Sequence, residues 1–127
     1  VLEVDIPEIV AELRAMFERY ERALTQNDIV AVNDLFWNSG STIRFGTREM
    51  ERHYGHTEIA SFRLQRGPVD QRRELRNTRI TAFGRDFGVI NTEYMPAGSS
   101  TVGRQSQTWV RKDTGWKIVS AHVSFGI

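Results

Sequence analysis

Fifteen arginines and only two lysines, Lys112 and Lys117, form the basic side of this 127-residue chain. A guanidinium offers a planar fork of N–H donors that fits a carboxylate at two points, which an ammonium does not. The excess therefore directs attention to arginines aimed at a planar anion, although base composition alone can also produce it. Arg44, between Ile43 and Phe45, is the first such candidate. Apolar neighbours on both sides mean that strand parity does not decide its face. Arg63, near the end of a short helix, is the second candidate clamp, where it can instead serve helix carbonyls and the dipole. Arg72, Arg73, Arg76 and Arg79 alternate faces at strand period beside Asp70 and Glu74. They read as a solvated sheet surface rather than a phosphate track.

Acid–base chemistry has fewer candidates. Tyr20 sits on the apolar stripe of a long helix, one turn after Met16 and Phe17. It is either a core aromatic whose hydroxyl finds a partner, or a proton donor or acceptor pointing into a pocket. Parity along the later strands groups Gln105, Gln107 and Trp109 on one face, Trp116, Ile118, Ser120 and His122 on another, and Val89, Asn91 and Glu93 on a third. If Gln107, His122 and Glu93 all face inward, they form a polar ring in an otherwise apolar cavity. His53 and His56, with Glu49, Glu51 or Glu58 nearby, invite a metal, but the spacing is not HExxH and the segment is broken by Gly55. They read as a surface pair, so no metal site is expected. Trp109 and Trp116 read as core packing across a hairpin. No Ser-His-Asp set, phosphate loop or dinucleotide fingerprint is present, so no cofactor is implied.

The elements that must position these groups follow from periodicity. Ile6, Ile9, Val10, Leu13, Met16, Phe17, Tyr20 and Leu24 mark a long amphipathic helix ending near Asn27, with Asp5 and Glu8 as a capping pair. Asp28 caps a shorter second helix. Ser41 to Phe45 reads as a strand, residues 46–53 as a polar segment, and His56 to Gln65 as a third helix. Strands follow over Arg72–Phe83, Phe87–Tyr94, Val102–Lys112 and Trp116–Ser124, joined by Gly84-Arg85-Asp86, a longer turn and Asp113-Thr114-Gly115. Helices first and consecutive antiparallel strands afterwards give an α+β fold, with N-terminal helices packed in a strongly curved sheet. Such a cone leaves an open mouth, where pockets form. All 127 residues fit one domain.

Composition narrows the class. A net charge of +1 and no basic block argue against nucleic acid, and no apolar run approaches the length of a membrane span. Without cysteine there is no disulfide framework or thiol chemistry, which suits a cytoplasmic protein.

The order of elements resembles the nuclear-transport-factor-2-like, or SnoaL-like, superfamily. The last strands are more particular. Gly103-Arg104-Gln105-Ser106-Gln107-Thr108-Trp109-Val110, Gly115-Trp116-Lys117-Ile118-Val119 and Ala121-His122-Val123-Ser124 resemble the ending of the AtzH-like family, as do Arg44-Phe45-Gly46 and Tyr54-Gly55…Ile59…Phe62-Arg63 upstream. The resemblance implies a cone fold and a place beside amidase-signature hydrolases in bacterial catabolism of cyanuric acid and similar nitrogen-rich compounds. It implies conversion of 1,3-dicarboxyurea, a small anionic substrate, to allophanate, with Tyr20 and Arg44 as catalytic residues. Arg63, Gln107, His122 and Glu93 are the expected substrate contacts, and a homodimer through the outer sheet face, near Ser106, Thr108 and Val110, is common in the superfamily. Two other readings stay open: a nonenzymatic binding or accessory protein for an amidase, and an isomerase or dehydratase using Glu93 with His122.

Overall fold

The apolar stripe forms helix α1 (Pro7–Thr25), with Ile9, Leu13, Phe17, Tyr20 and Leu24 buried along one side. The computed structural model describes residues 1–126. The start of α1 differs from expectation. Ile6 is the cap residue and no side chain caps the helix. Asp5 adopts φ 59° and bonds elsewhere: its carboxylate accepts from the Ala82 amide and its own amide donates to the Ala82 carbonyl, both at 2.9 Å. The carboxylate expected to cap α1 thus ties the N-terminal segment to the sheet. Asp28 does cap helix α2 (Ile29–Leu35), accepting from the Ala31 amide at 3.1 Å.

After α2 come β1 (Ile43–Phe45), β2 (Arg52–Tyr54), α3 (His56–Arg66), β3 (Arg73–Phe83), β4 (Phe87–Pro96), β5 (Gly103–Lys112) and β6 (Gly115–Phe125). They form one sheet in the order β2-β1-β6-β5-β4-β3. Only the β1–β6 contact is parallel; the other four are antiparallel. β2 replaces part of the expected polar segment. Three residues are too few to show a period, and its pairing depends on the turn that brings Gly46 N to Glu51 O at 2.8 Å.

The core lies where α1 and α2 meet the sheet. Leu13, Phe17, Val32, Phe36, Ile90, Trp109, Trp116 and Ile118 share one buried cluster, so both sheet tryptophans are core residues. At Gly88 α1 packs closely on the sheet: a Cβ there would overlap Leu13 Cδ1. Gly103 likewise leaves room for the Tyr94 ring, which a Cβ would overlap. The result is an α+β fold with helices held in a curved, mainly antiparallel sheet. Among the described residues, no helix is long and apolar enough to cross a membrane.

One irregularity decides which side chains face inward. Between β5 and β6, Thr108 pairs with Ser120 but Trp109 pairs with Ile118, so Val119 is an extra residue. A bulge of this kind reverses the parity of everything beyond it. Trp116 and Ile118 are buried before it, and Ala121 after it, while His122 is exposed.

Candidate functional site

A cavity of about 590 Å³ opens between α1, α3, the segment 46–51 and the inner face of the sheet. Six arginines line it; Arg48 and Arg72 are exposed, and the other four come from three elements, each placement with a local cause. Arg44 is the inward residue of β1 and is buried. Arg63 and Arg66 share the inner side of α3 with Ile59 and Phe62, since residues three and four apart lie on one helix face. Arg73 opens β3 on the same parity as half-buried Leu75. The expectation of a solvated arginine run therefore fails at Arg73, whose side chain is only 6% exposed.

Two of the four have carboxylate partners. Arg44 Nη1 lies 3.3 Å from Glu51 Oε1, and Arg73 Nε donates to Glu21 Oε1 at 2.9 Å while its Nη2 donates to Glu21 Oε2. Burial opposes the Arg73 charge, but the bonds and charge of Glu21 outweigh it and raise its pKa. Arg63 and Arg66 have no carboxylate within ion-pair distance among the described residues. Arg63 is 3% exposed, with its guanidinium 5.0 Å above the Phe36 ring. Burial pulls its pKa down to about 10, opposed by the Tyr20 hydroxyl beside it. Arg66 shifts the same way, first from burial and then from the Arg44 charge. Arg63 still carries its charge at neutral pH. Two positive charges with no carboxylate in ion-pair range, lining one half-open cavity, favour an anionic ligand.

The unpaired atoms give the same answer independently. Among the described residues, the buried side-chain polar atoms without a partner are Arg63 Nε and Nη1, Arg66 Nε, Gln105 Nε2, Gln107 Nε2 and Asn33 Oδ1. All but the last are N–H donors, and those of Arg63, Arg66 and Gln105 belong to side chains lining the cavity. Leaving such groups unpaired costs about 1–3 kcal/mol each, more when charged. A molecule rich in acceptor oxygens is what they would bind.

The structure brings three of the expected site residues together: Tyr20, Arg44 and Arg63 all line the cavity. Tyr20 is buried, edge-on to Phe36 at 6.4 Å. Gln107 faces inward but lies in the core behind the cavity, where its Oε1 accepts from Trp109 Nε1 at 3.0 Å. His122 and Glu93 are elsewhere. The Val119 bulge turns His122 to the outer face, where it lies edge-on to Phe45 at 5.6 Å. Glu93 shares its face with Val89 and Asn91 as parity requires, but that face is the outer one, and Asn77 Nδ2 donates to its carboxylate at 3.2 Å. The inner face of β4 carries Ile90, Thr92 and Tyr94 instead. The expected polar ring does not form.

Arg66, Arg73, Glu51 and Gln105 were not singled out as site residues by the sequence. Leu75 beside Arg73, and Trp109 on the parity of Gln105, are the signals that point to two of them. His53 also departs from expectation. It is not a surface residue but a buried one, with Nδ1 3.4 Å from Arg44 Nη1 and its ring 4.6 Å from that of Phe62. Burial first, and the Arg44 charge second, hold its pKa below 6.5, with Glu51 opposing.

That shift has a consequence for stability. The folded chain resists protonating His53 more than the unfolded chain does, so the unfolded state takes up the proton first as pH falls. The stabilisation is complete above 6.5 and is lost as pH drops through the folded-state value. Melting temperature should therefore fall between about pH 7.5 and about pH 5, and His53→Gln should flatten that slope. An unchanged slope in the variant would contradict the assignment.

The sequence model of the AtzH-like family matches residues 2–126. Two solved structures are similar over nearly the whole chain. A protein of unknown function from Pectobacterium atrosepticum is 45% identical, with a TM-score of 0.92 over 98% of this chain and 95% of its own. A cystatin-like fold protein from Burkholderia xenovorans is 44% identical, with a TM-score of 0.91 over 99% and 98%. A nuclear-transport-factor-2-like protein of unknown function from Pseudomonas putida, 17% identical with a TM-score of 0.74 over 90% and 84%, shares the fold. No curated protein matches. The curved sheet around α1 is thus a nuclear-transport-factor-2-like cone, and the chain belongs to the AtzH-like family.

Proposed function

We propose that the cavity binds a small planar dianion of the carboxylated-urea class and removes one terminal carboxyl, taking 1,3-dicarboxyurea to allophanate. The observation that carries this reading is Arg63, a buried guanidinium with two unpaired N–H groups and no carboxylate partner, beside the Tyr20 hydroxyl. Arg63 and Arg66 would hold the retained carboxylate, which fixes the geometry of the rest of the molecule. Arg44 keeps Glu51 as its resident partner and would contribute charge at the mouth side.

The dianion carries a carboxylate on each of the two urea nitrogens, and it loses carbon dioxide when one of those N–C bonds breaks. The bonding pair stays on nitrogen, which takes one proton and becomes the free amino end of the allophanate anion. If water enters at the departing carbon, the same carbon leaves as bicarbonate and the water's other proton passes to solvent. Tyr20 is the proton source in either case, and Arg63 stabilises the phenolate until solvent reprotonates it. The allophanate formed would pass to an amidase-class hydrolase. Glu93 and His122, on which a proton-transfer isomerase reading depends, lie outside the cavity.

The experiment is carbon-13 NMR of freshly generated 1,3-dicarboxyurea with and without the protein. Allophanate should appear faster than in the protein-free blank, and Arg44→Ala should slow it. A rate equal to the blank would contradict the enzymatic reading and leave a binding or accessory role.

A further inference from the structure

Gln105 occupies the inner face of β5, opposite Thr92 on β4 and Val123 on β6, and is 3% exposed. Its amide orientation is decided chemically. Arg73 Nη2 donates to Gln105 Oε1 at 3.0 Å, and a guanidinium has no acceptor, so the amide oxygen must face it. Arg73 is itself held, by the two bonds to Glu21 and by the Tyr94 ring 4.7 Å beneath it. The chain Glu21–Arg73–Gln105 therefore leaves the Gln105 amide nitrogen as the end that is not engaged, buried and without a partner.

Glutamine is a poor choice for holding Arg73 alone. A glutamate at 105 would pair with the guanidinium more strongly and would leave no unpaired donor. What glutamine adds is the amide N–H pair. That group and the Arg63 donors line the same cavity, and the Tyr20 side chain is close enough to act on both Arg63 and Arg73. Tyr20 lines that same cavity.

We propose that Gln105, its amide turned by Arg73, is a second oxygen-binding subsite that takes the far carboxylate of a ligand held at Arg63, and so selects two-ended acids over one-ended ones. The proposal rests on the reading of the cavity as an anion site and adds to it the end of the ligand that Arg63 does not hold. A molecule anchored at both ends would lie along the cavity that Tyr20 also lines.

The probes are 3-oxoglutarate, in which a methylene replaces each N–H group of 1,3-dicarboxyurea, and its one-ended counterpart acetoacetate. Calorimetric titration of the intact protein should give 3-oxoglutarate at least about tenfold tighter, as expected for one hydrogen bond to a charged group. Gln105→Met should remove most of that preference while leaving acetoacetate affinity unchanged. Gln105→Glu, which keeps an acceptor for Arg73, should remove it entirely and reject the dianion. A preference that survives in both variants overturns the subsite. So does an equal loss of both ligands with a lowered melting temperature, which would make Gln105 a support for Arg73 only. Wild-type protein that binds both ligands equally overturns the subsite while the anion site stands; wild-type protein that binds neither removes the anion site and the subsite together.

Discussion

Arg63→Met should weaken ligand binding by about 10²–10³-fold and at the same time raise the melting temperature. The two effects have one origin. Arg63 is buried, has no carboxylate partner, and holds its charge against a desolvation cost large enough to bring its pKa to about 10. Replacing a buried charge with an apolar side chain of similar length commonly stabilises a fold by about 1–4 kcal/mol. Methionine would also keep the contact that Arg63 makes with Phe36. For a chain of this size the expected rise is roughly 4–15 °C. Binding should move the other way: loss of a hydrogen-bonded charge from a closed site costs about 2–5 kcal/mol, a weakening of about 10²–10³-fold for 3-oxoglutarate. Thermal melting and calorimetry check both. A destabilised variant that still binds would mean that Arg63 anchors the fold and does not serve the ligand.

Tyr20→Phe should separate chemistry from binding. The ring is buried against Phe36 at 6.4 Å, and phenylalanine preserves that packing. What is lost is one hydroxyl beside the Arg63 guanidinium. If that hydroxyl delivers the proton to nitrogen, kcat for loss of 1,3-dicarboxyurea should drop by about 10²–10⁴. On the proposed reading Arg63 and Gln105 hold the ligand, so affinity for 3-oxoglutarate should stay within about threefold and melting temperature should hardly change. A variant that retains the wild-type kcat would remove Tyr20 from the chemistry. One that loses binding and turnover together would make the hydroxyl part of the anion clamp instead.

Local signals carried most of the architecture. The stripe from Ile9 to Leu24, the Asp28 cap and the Gly-containing hairpin turns are short-range features, and each predicts its element without reference to the rest of the chain. On the later strands the site was legible only where parity survives. Gln105, Gln107 and Trp109 share the buried face of β5 that alternation assigns them. His122 follows Val119 on β6, and one unpaired residue is enough to turn it outward. Nothing in the local sequence marks Val119 as the bulge. Asp5 shows the same limit at a helix start, since its competitor for the carboxylate is the Ala82 amide, 77 positions away.

Arg44 and Arg73 show why charged residues are hard to place. Ile43 and Phe45 flank Arg44, so alternation around it is silent. Arg73 is one of four arginines in a polar stretch, and only the carboxylate of Glu21, on a helix 52 positions earlier, offsets the cost of its burial. His53 is buried by the same logic, since β2 is visible as a strand only once β1 is there to pair with it.

The central claim is that the unpaired donors of Arg63 receive an oxygen of the ligand. It is tested most directly by nitrogen-15-edited NMR of the arginine side chains during titration with 3-oxoglutarate, with the Arg63 Nε–H signal assigned by its absence in Arg63→Met. A charge-assisted hydrogen bond should move that proton downfield, along a curve that saturates with the calorimetric affinity. An Arg63 signal that stays in place while 3-oxoglutarate saturates the protein would contradict the account, because the ligand would then be held elsewhere.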